Sequence, residues 1–373
     1  MSQPRRMGLI GQACVAAALA VHAQAPGVDW RPVHDGVEHA QFTRPAPAGG
    51  TWNINALRLD LTRVRLDVIR ALDAAVGLER VTSIAARTGA IAAVNGGYFR
   101  TSGDFLGEST GTLQIDHAIW SEPDRGRASV GIVREHASSH LVFGHAQWQA
   151  SLEAGGQKHA IDGVNRGRGA DELIVFTPAF GQAPATDDSG VEVVVRSGRV
   201  VGALDNAGRT PIPADGFVVS ARGAAREWVR RALTKGTRVA VRMALTPAER
   251  WQRAEDVLGA GPKLVTGGRV DITDEREKMV PTFRTETHPR TAIAALADGR
   301  ALLLVADGRH PPARVGMALD DLARLLIELG AREAINLDGG GSSAMVVKGG
   351  VVNYPSDASG ERPVSDALIV RPK

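Results

Sequence analysis

The chain holds one cysteine in 373 residues, Cys14, and it lies in an apolar stretch near the N-terminus. Beyond that stretch no intrachain disulfide can form, so the fold has to rest on its own core. Aromatic residues are scarce at 4%, and 44 basic against 41 acidic side chains leave a formal charge of only +3. This combination gives no footprint for nucleic acid. Past residue 25 no run is long and apolar enough to span a membrane. Histidine thins out as well: after His159 only His288 and His310 remain, which leaves few candidates for histidine chemistry. His136 and His140 stand four apart, but their flanks alternate like a hairpin, not a helix, which argues against a histidine metal site. The stretch "GAGPKLVTGG" (259–268) lacks the Gly-Lys-Ser/Thr core of a phosphate-binding P-loop.

What is present begins with an export signal. "MSQPRR" is basic, "MGLIGQACVAAALAV" is apolar and "HAQA" offers small residues for cleavage, so residues 1–25 read as a secretory signal peptide. The expected product is exported, periplasmic or secreted, with no membrane span after cleavage. A lipoprotein site would need Leu three residues before Cys14, where Gly11 stands. Loss of Arg5 and Arg6 with the signal takes the net charge from +3 to +1. Residues 26–50 are rich in proline and glycine and read as a loosely packed lead-in. Residues 51–373 carry no linker, charge block or low-complexity segment and read as a single catalytic domain.

Alternation over 51–71 and apolar runs at 90–99, 129–152, 172–178, 190–201, 216–223 and 237–245 predict strands, as do "HPRTAIAAL" and "ALLLVADGR". Residues 81–89 and 225–233 read as helices. In "ALDDLARLLIELG" the apolar positions 319, 322, 325, 326 and 329 share one helical face that ends at Gly330. The pattern predicts an α+β fold of mixed β-sheets flanked by helices. An internal pseudo-repeat stands out: "GAIAAVNGG" (89–97) and "GAREAINLDGG" (330–340) each follow a helix and end in glycines. Two similar helix–strand–loop units with converging Gly-rich ends would explain it.

Those ends carry the chemistry. In "NLDGGGSS" (336–343), Gly339, Gly340 and Gly341 allow close backbone approach to a ligand, and successive N–H groups can form an anion nest. Ser342 and Ser343 add hydroxyl donors. Asp338 would repel a phosphate unless it works on another part of the ligand. "VNGGYF" (94–99) is a second such end, with Asn95, Gly96 and Gly97. "ADGR" delivers Asp307 and Arg309, and "HPR" delivers Arg290; arginine binds phosphate or carboxylate with two parallel hydrogen bonds. Four polar clusters at the ends of buried strands point to one site for a substrate with an anionic end. Ser342 also invites a serine hydrolase reading with His310 or His288 and Asp307, although Ala344 breaks the Gly-x-Ser-x-Gly elbow. A non-catalytic binder of anionic glycans is the third alternative; Asp307 and Asp338 weigh against it.

The motifs "AAVNGGYF", "SGDFLG", "GAGPKLV", "HPRTAIA", "LLLVADGR", "INLDGGGSSAM" and "YPSD" with "ERPVSDAL", in order over most of the chain, resemble those of the phosphodiester glycosidases. The resemblance implies hydrolysis of a sugar 1-phosphodiester at the anomeric carbon, giving a free sugar and a phosphomonoester. It casts the glycine nest and Arg290 as the phosphate holders and Asp338 as the group facing the sugar or the attacking water. A phosphate leaving group needs little protonation, so one carboxylate base can suffice. Asp307 and Glu108 are the candidates for a second carboxylate. Asn95 and Asn336 would bind sugar hydroxyls or position water, Asn95 alternatively holding its own turn. Arg309 would add to the phosphate site, and Asp357 is either a turn residue or a site residue. No cofactor is expected; oxygen ligands for calcium or magnesium exist in Asp307, Asp338 and the glycine-loop carbonyls, but no dedicated loop does. The expected partner is a small molecule or glycan bearing a sugar phosphodiester.

Overall fold

A computed structural model describes residues 27–136 and 138–373. The signal peptide expected over 1–25 lies outside these residues. The described chain is mostly β, with 44% strand and 12% helix. This corrects the α+β expectation. Helix-period segments proved few and short: the four α-helices are Val81–Thr88, Ala224–Ala232, Ala248–Trp251 and Leu319–Glu328. Apolar runs buried on both faces were read as strands under helices, but a second sheet can cover such a strand equally well.

Five sheets carry the fold. The largest has eight strands, with Thr51–Leu59, Ala301–Ala306, Arg290–Leu296, Ala331–Asn336 and Lys263–Thr266 adjacent in that order. Its alternating side chains serve two cores. Leu303, Val305, Ile293 and Ile335 pack against Val94, Met345 and Leu368 of a second, five-stranded sheet, and against Val130 and Leu258 of a third. Leu302, Leu304, Ala292 and Ala294 face the opposite way, onto Leu319, Leu322 and Leu326 of the Leu319–Glu328 helix. The second sheet runs Gly350–Val351, Met345–Val347, Ala92–Asn95, Asp366–Pro372, Val64–Arg70. Its other face carries Ala93, Val346 and Ile369 against Val81, Ile84 and Ala85 of the first helix.

Residues 27–50 are not a loose lead-in. Arg31–His34 and Val37–Pro45 are the outer strands of the eight-stranded sheet, and Val37, Ala40 and Phe42 are buried. A separate cluster built on Leu152, Val175, Val193 and Val219 organises the sheets between residues 147 and 246.

The two look-alike units are helix–strand–loop segments, Val81–Thr88 into Ala92–Asn95 and Leu319–Glu328 into Ala331–Asn336. They lie in different sheets, and their glycine-rich ends meet. The Asp338 N–H donates to Gly96 O at 3.0 Å, and Asn95 Nδ2 donates to Asp338 O at 2.7 Å. In the large sheet Ala306 pairs with Arg290 and Asn336 with Ala292. Asp307, Arg290 and Asn336 therefore emerge at one edge of three neighbouring strands.

Candidate active site

Asp338 stands where the two units touch. It follows Leu337, a fully buried residue whose N–H donates to Thr291 O at 2.8 Å. Burial pushes the Asp338 carboxyl up from 3.8 to about 6, and the buried Asp366 adds to the rise. The Ser342 hydroxyl, the Gly339 N–H and the Arg362 guanidinium pull it back. The Gly339 N–H donates to Asp338 Oδ1 at 2.9 Å. Ser342 Oγ weighs on that charge, yet it and Asn336 Oδ1 are buried without a well-formed hydrogen bond among the described residues. A carboxyl poised near 6 can accept a proton at neutral pH.

The glycines around it are demanded by close approach. A Cβ on Gly96 would collide with Asp366 Oδ1, and one on Gly339 would lie 2.7 Å from Pro289 O. Gly340 has φ +61°, and a Cβ there would sit 2.8 Å from Arg309 Nη2. Gly341 is capped by the Arg362–Asp357 ion pair, whose two bonds measure 2.7 and 3.0 Å. The Gly97 N–H donates to Asp366 Oδ1 at 2.7 Å.

The charged candidates divide by what they touch. Arg309 is exposed, lies over Gly340 and forms no ion pair or hydrogen bond among the described residues. Arg290 is fully buried. Its Nε donates to Met317 O at 2.9 Å, and its Nη2 donates to Phe283 O at 2.9 Å and Glu286 O at 2.8 Å. Burial lowers it to about 10. Its Nη2 thus holds the 283–286 loop in place. Asp307 is buried and shifted upward by desolvation, with Tyr354 N–H, Asn353 and Arg314 opposing. Its Oδ1 accepts from Tyr354 N at 3.0 Å and Asn353 Nδ2 at 3.3 Å, and Arg314 Nε lies 3.5 Å from Oδ2. Glu108 is not brought to Asp338 by any hydrogen bond or ion pair. It pairs with Arg100 at 3.0 Å, and desolvation raises it.

The asparagines are spent on the scaffold. Asn95 Oδ1 accepts from Thr291 Oγ1 at 2.8 Å and Ala344 N at 3.2 Å, which leaves its amide bridging both loops. Asn336 Nδ2 donates to Gly261 O at 3.0 Å and Tyr98 OH at 3.1 Å. Ser343 Oγ accepts from Thr291 Oγ1 at 3.2 Å. Asp357 is engaged by Arg362 and closes a turn with Gly360 N–H at 2.9 Å.

Sequence reading missed Tyr98, Thr291, Arg362 and Asp366, although each lies inside or beside a quoted motif. The Tyr98 hydroxyl donates to Gly261 O at 2.6 Å, and burial and the Asp338 charge oppose its ionisation. No hydrogen bond links Ser342 to a histidine among the described residues: His288 bonds Glu286 at 3.0 Å and His310 meets the Tyr354 ring edge-on. No cluster of three or more metal-ligating side chains occurs among them.

Comparison with known proteins bears on this arrangement. Residues 189–371 match the phosphodiester glycosidase family model, a range that includes Arg290, Asp307, Asp338 and Asp357. A 68-residue segment, 18% of the chain, is 41% identical to human N-acetylglucosamine-1-phosphodiester alpha-N-acetylglucosaminidase. An 83-residue segment, 22% of the chain, is 39% identical to the prophage-derived protein YomE of Bacillus subtilis. Each match spans only 13% of that relative's length. A crystal structure of a candidate exported protein from Burkholderia pseudomallei superposes with TM-score 0.76 and 27% identity, over 87% of this chain and 74% of that one. The fold is shared with a Synechocystis protein at TM-score 0.80 and 24% identity, over 94% of this chain and 64% of that one. It is shared more distantly with the zebrafish N-acetylglucosamine-1-phosphodiester alpha-N-acetylglucosaminidase catalytic domain, at TM-score 0.52 and 17% identity over 93% of this chain and 88% of that one. Residues 189–371, the stretch that carries these groups, are thus similar to the phosphodiester glycosidase family.

Proposed function

We propose that this chain hydrolyses sugar 1-phosphodiesters at the anomeric carbon, releasing the free sugar and a phosphomonoester, and that it does so outside the cytoplasm. The observation that carries the reading is Asp338: a carboxyl raised to about 6, at the meeting of two glycine-rich strand ends, beside an unpaired Arg309 and an Arg362 held over Gly341. Water adds to C1 as the C1–O bond to phosphate breaks. Asp338 takes the proton of that water. The departing phosphomonoester leaves as a stable anion, so no strong general acid is needed. Arg309 and the N–H groups of the 339–343 loop stabilise its charge. The family match and the named human relative support the reaction type. The Burkholderia neighbour supports export.

The test is incubation of purified protein with a panel of sugar 1-phosphodiesters, with and without EDTA. The reading predicts release of free sugar by the wild-type chain and loss of that release in Asp338→Asn. EDTA sensitivity would assign a cation to the site. Tight, salt-sensitive binding without release would instead favour a glycan-binding protein.

A further inference from the structure

We propose that Arg127 selects substrates whose reacting sugar carries a carboxylate, that is, a hexuronic acid joined through C1 to the phosphodiester. This rests on the hydrolase reading above and names the class of sugar it acts on.

Arg127 ends the connection between strands Ala118–Ser121 and Ala128–Arg134. Its side chain is only 18% exposed. The guanidinium lies 5.1 Å from the centroid of the Tyr98 ring. Its Nε is buried and has no hydrogen-bond partner among the described residues. Its Nη2 is 3.6 Å from Asp124 Oδ2, too far for a hydrogen bond, and Arg125 Nε is 3.7 Å from Oδ1 of the same carboxylate. Two arginines thus share one acid, and the 124–127 turn keeps one positive charge in surplus. The nearby carboxylates have arginines of their own. Glu122, in the same connection, pairs with Arg166, and Glu108, which feels the Glu122 charge, pairs with Arg100.

The backbone fixes this charge beside the site. The Ala128 N–H donates to the buried Glu277 at 3.0 Å, and Ala128 O accepts from Ala260 N at 2.9 Å. The next carbonyl, Gly261 O, accepts from the Tyr98 hydroxyl at 2.6 Å and from Asn336 Nδ2 at 3.0 Å. The Tyr98 hydroxyl feels the charges of both Asp338 and Arg127. Arg309 lies over Gly340 of the glycine-rich loop, whereas Arg127 stands against Tyr98. With Arg309 on the phosphate, Arg127 is left for the sugar. A largely desolvated guanidinium with uncommitted N–H groups is costly until an anion completes it. One surplus charge matches a carboxylate, which two N–H groups can hold side by side; a phosphate substituent, at about −1.5 to −2, would stay undercompensated.

The experiment compares matched pairs of 1-(methyl phosphate) diesters, glucose against glucuronic acid and galactose against galacturonic acid. The wild type is expected to prefer the uronic acid of a pair by about tenfold in kcat/KM, the scale of one charge-assisted hydrogen bond. Arg127→Gln keeps a long polar side chain over Tyr98 and should abolish that preference, mainly through KM. Arg127→Lys should retain part of it. A purely structural Arg127 would lower both members of a pair alike, so a ratio unchanged in Arg127→Gln overturns the inference and leaves the hydrolase reading standing. A wild type that prefers the neutral sugar does the same. Hydrolysis of none of the diesters overturns the hydrolase reading. Calorimetry with glucuronic acid 1-phosphate and glucose 1-phosphate then decides the role of Arg127: tighter binding of the uronic acid, lost in Arg127→Gln, supports it, and equal or absent binding overturns it.

Discussion

Replacing Asp338 by Asn should stabilise the protein while stopping turnover, and the stabilisation should depend on pH in a defined way. Burial raises the carboxyl from 3.8 to about 6. Between those values the folded chain binds more protons than the unfolded one, so stability falls as pH rises through this window and the loss is complete above it. At 1.36 kcal/mol per pH unit, the full penalty for an ionised Asp338 at pH 8 is about 3 kcal/mol. Asp338 keeps partial solvent exposure, which reduces this to about 2 kcal/mol. Asn carries no charge, and its Oδ1 can still accept the Gly339 N–H, so it escapes the penalty without losing that bond. Denaturant midpoints of wild type and Asp338→Asn at pH 4 and pH 8 provide the assay. The variant should be about 2 kcal/mol more stable at pH 8 and nearly equal to wild type at pH 4. A variant equally or less stable at pH 8 would refute the idea that this carboxylate is held ionised against its surroundings.

The remaining predictions concern the same corner. As a base, ionised Asp338 makes kcat/KM fall as pH drops below about 6; a profile that instead falls as pH rises through 6 would make it the acid. Arg362 holds the Asp338 carboxyl down, so Arg362→Ala should move that acidic limb to higher pH, as read from the pH–rate profile. Arg309→Ala should weaken inhibition by inorganic phosphate by about tenfold and reduce its salt dependence, measured as Ki at two ionic strengths. Gly96→Ala drives a methyl group into Asp366 Oδ1 and should cost about 1–3 kcal/mol in chemical denaturation, with loss of activity.

The convergence of Asn95–Gly97 with Asn336–Ser343 was legible because both strands end in glycines, a choice that weakens a strand and has to serve something else. Arg290, Asp307 and Asn336 were legible as strand-end groups for a similar reason: each borders a buried apolar run. Their duties were not. Asn95 looks like a ligand group in its motif, yet its amide is bonded to Asp338 O and Thr291 Oγ1, partners far away in the chain. Asp307 looks catalytic until Asn353, Tyr354 and Arg314 are seen around it. Long-range partners of this kind leave no local pattern. The fold class failed for a related reason. Runs such as Leu302–Ala306 report burial on both faces but not whether a helix or a sheet supplies each cover. In residues 27–50, the glycines around the strands, with Pro32 and Pro45 inside them, masked the buried Val37, Ala40 and Phe42.

The central claim is that the bond broken is the one between the anomeric carbon and oxygen, with Asp338 activating water. Hydrolysis of a sugar 1-phosphodiester in water enriched in oxygen-18 tests it directly, with mass spectrometry of both products. The account predicts one labelled oxygen in the free sugar and none in the phosphomonoester. Label in phosphate, with release of sugar 1-phosphate, would mean attack at phosphorus and would contradict it.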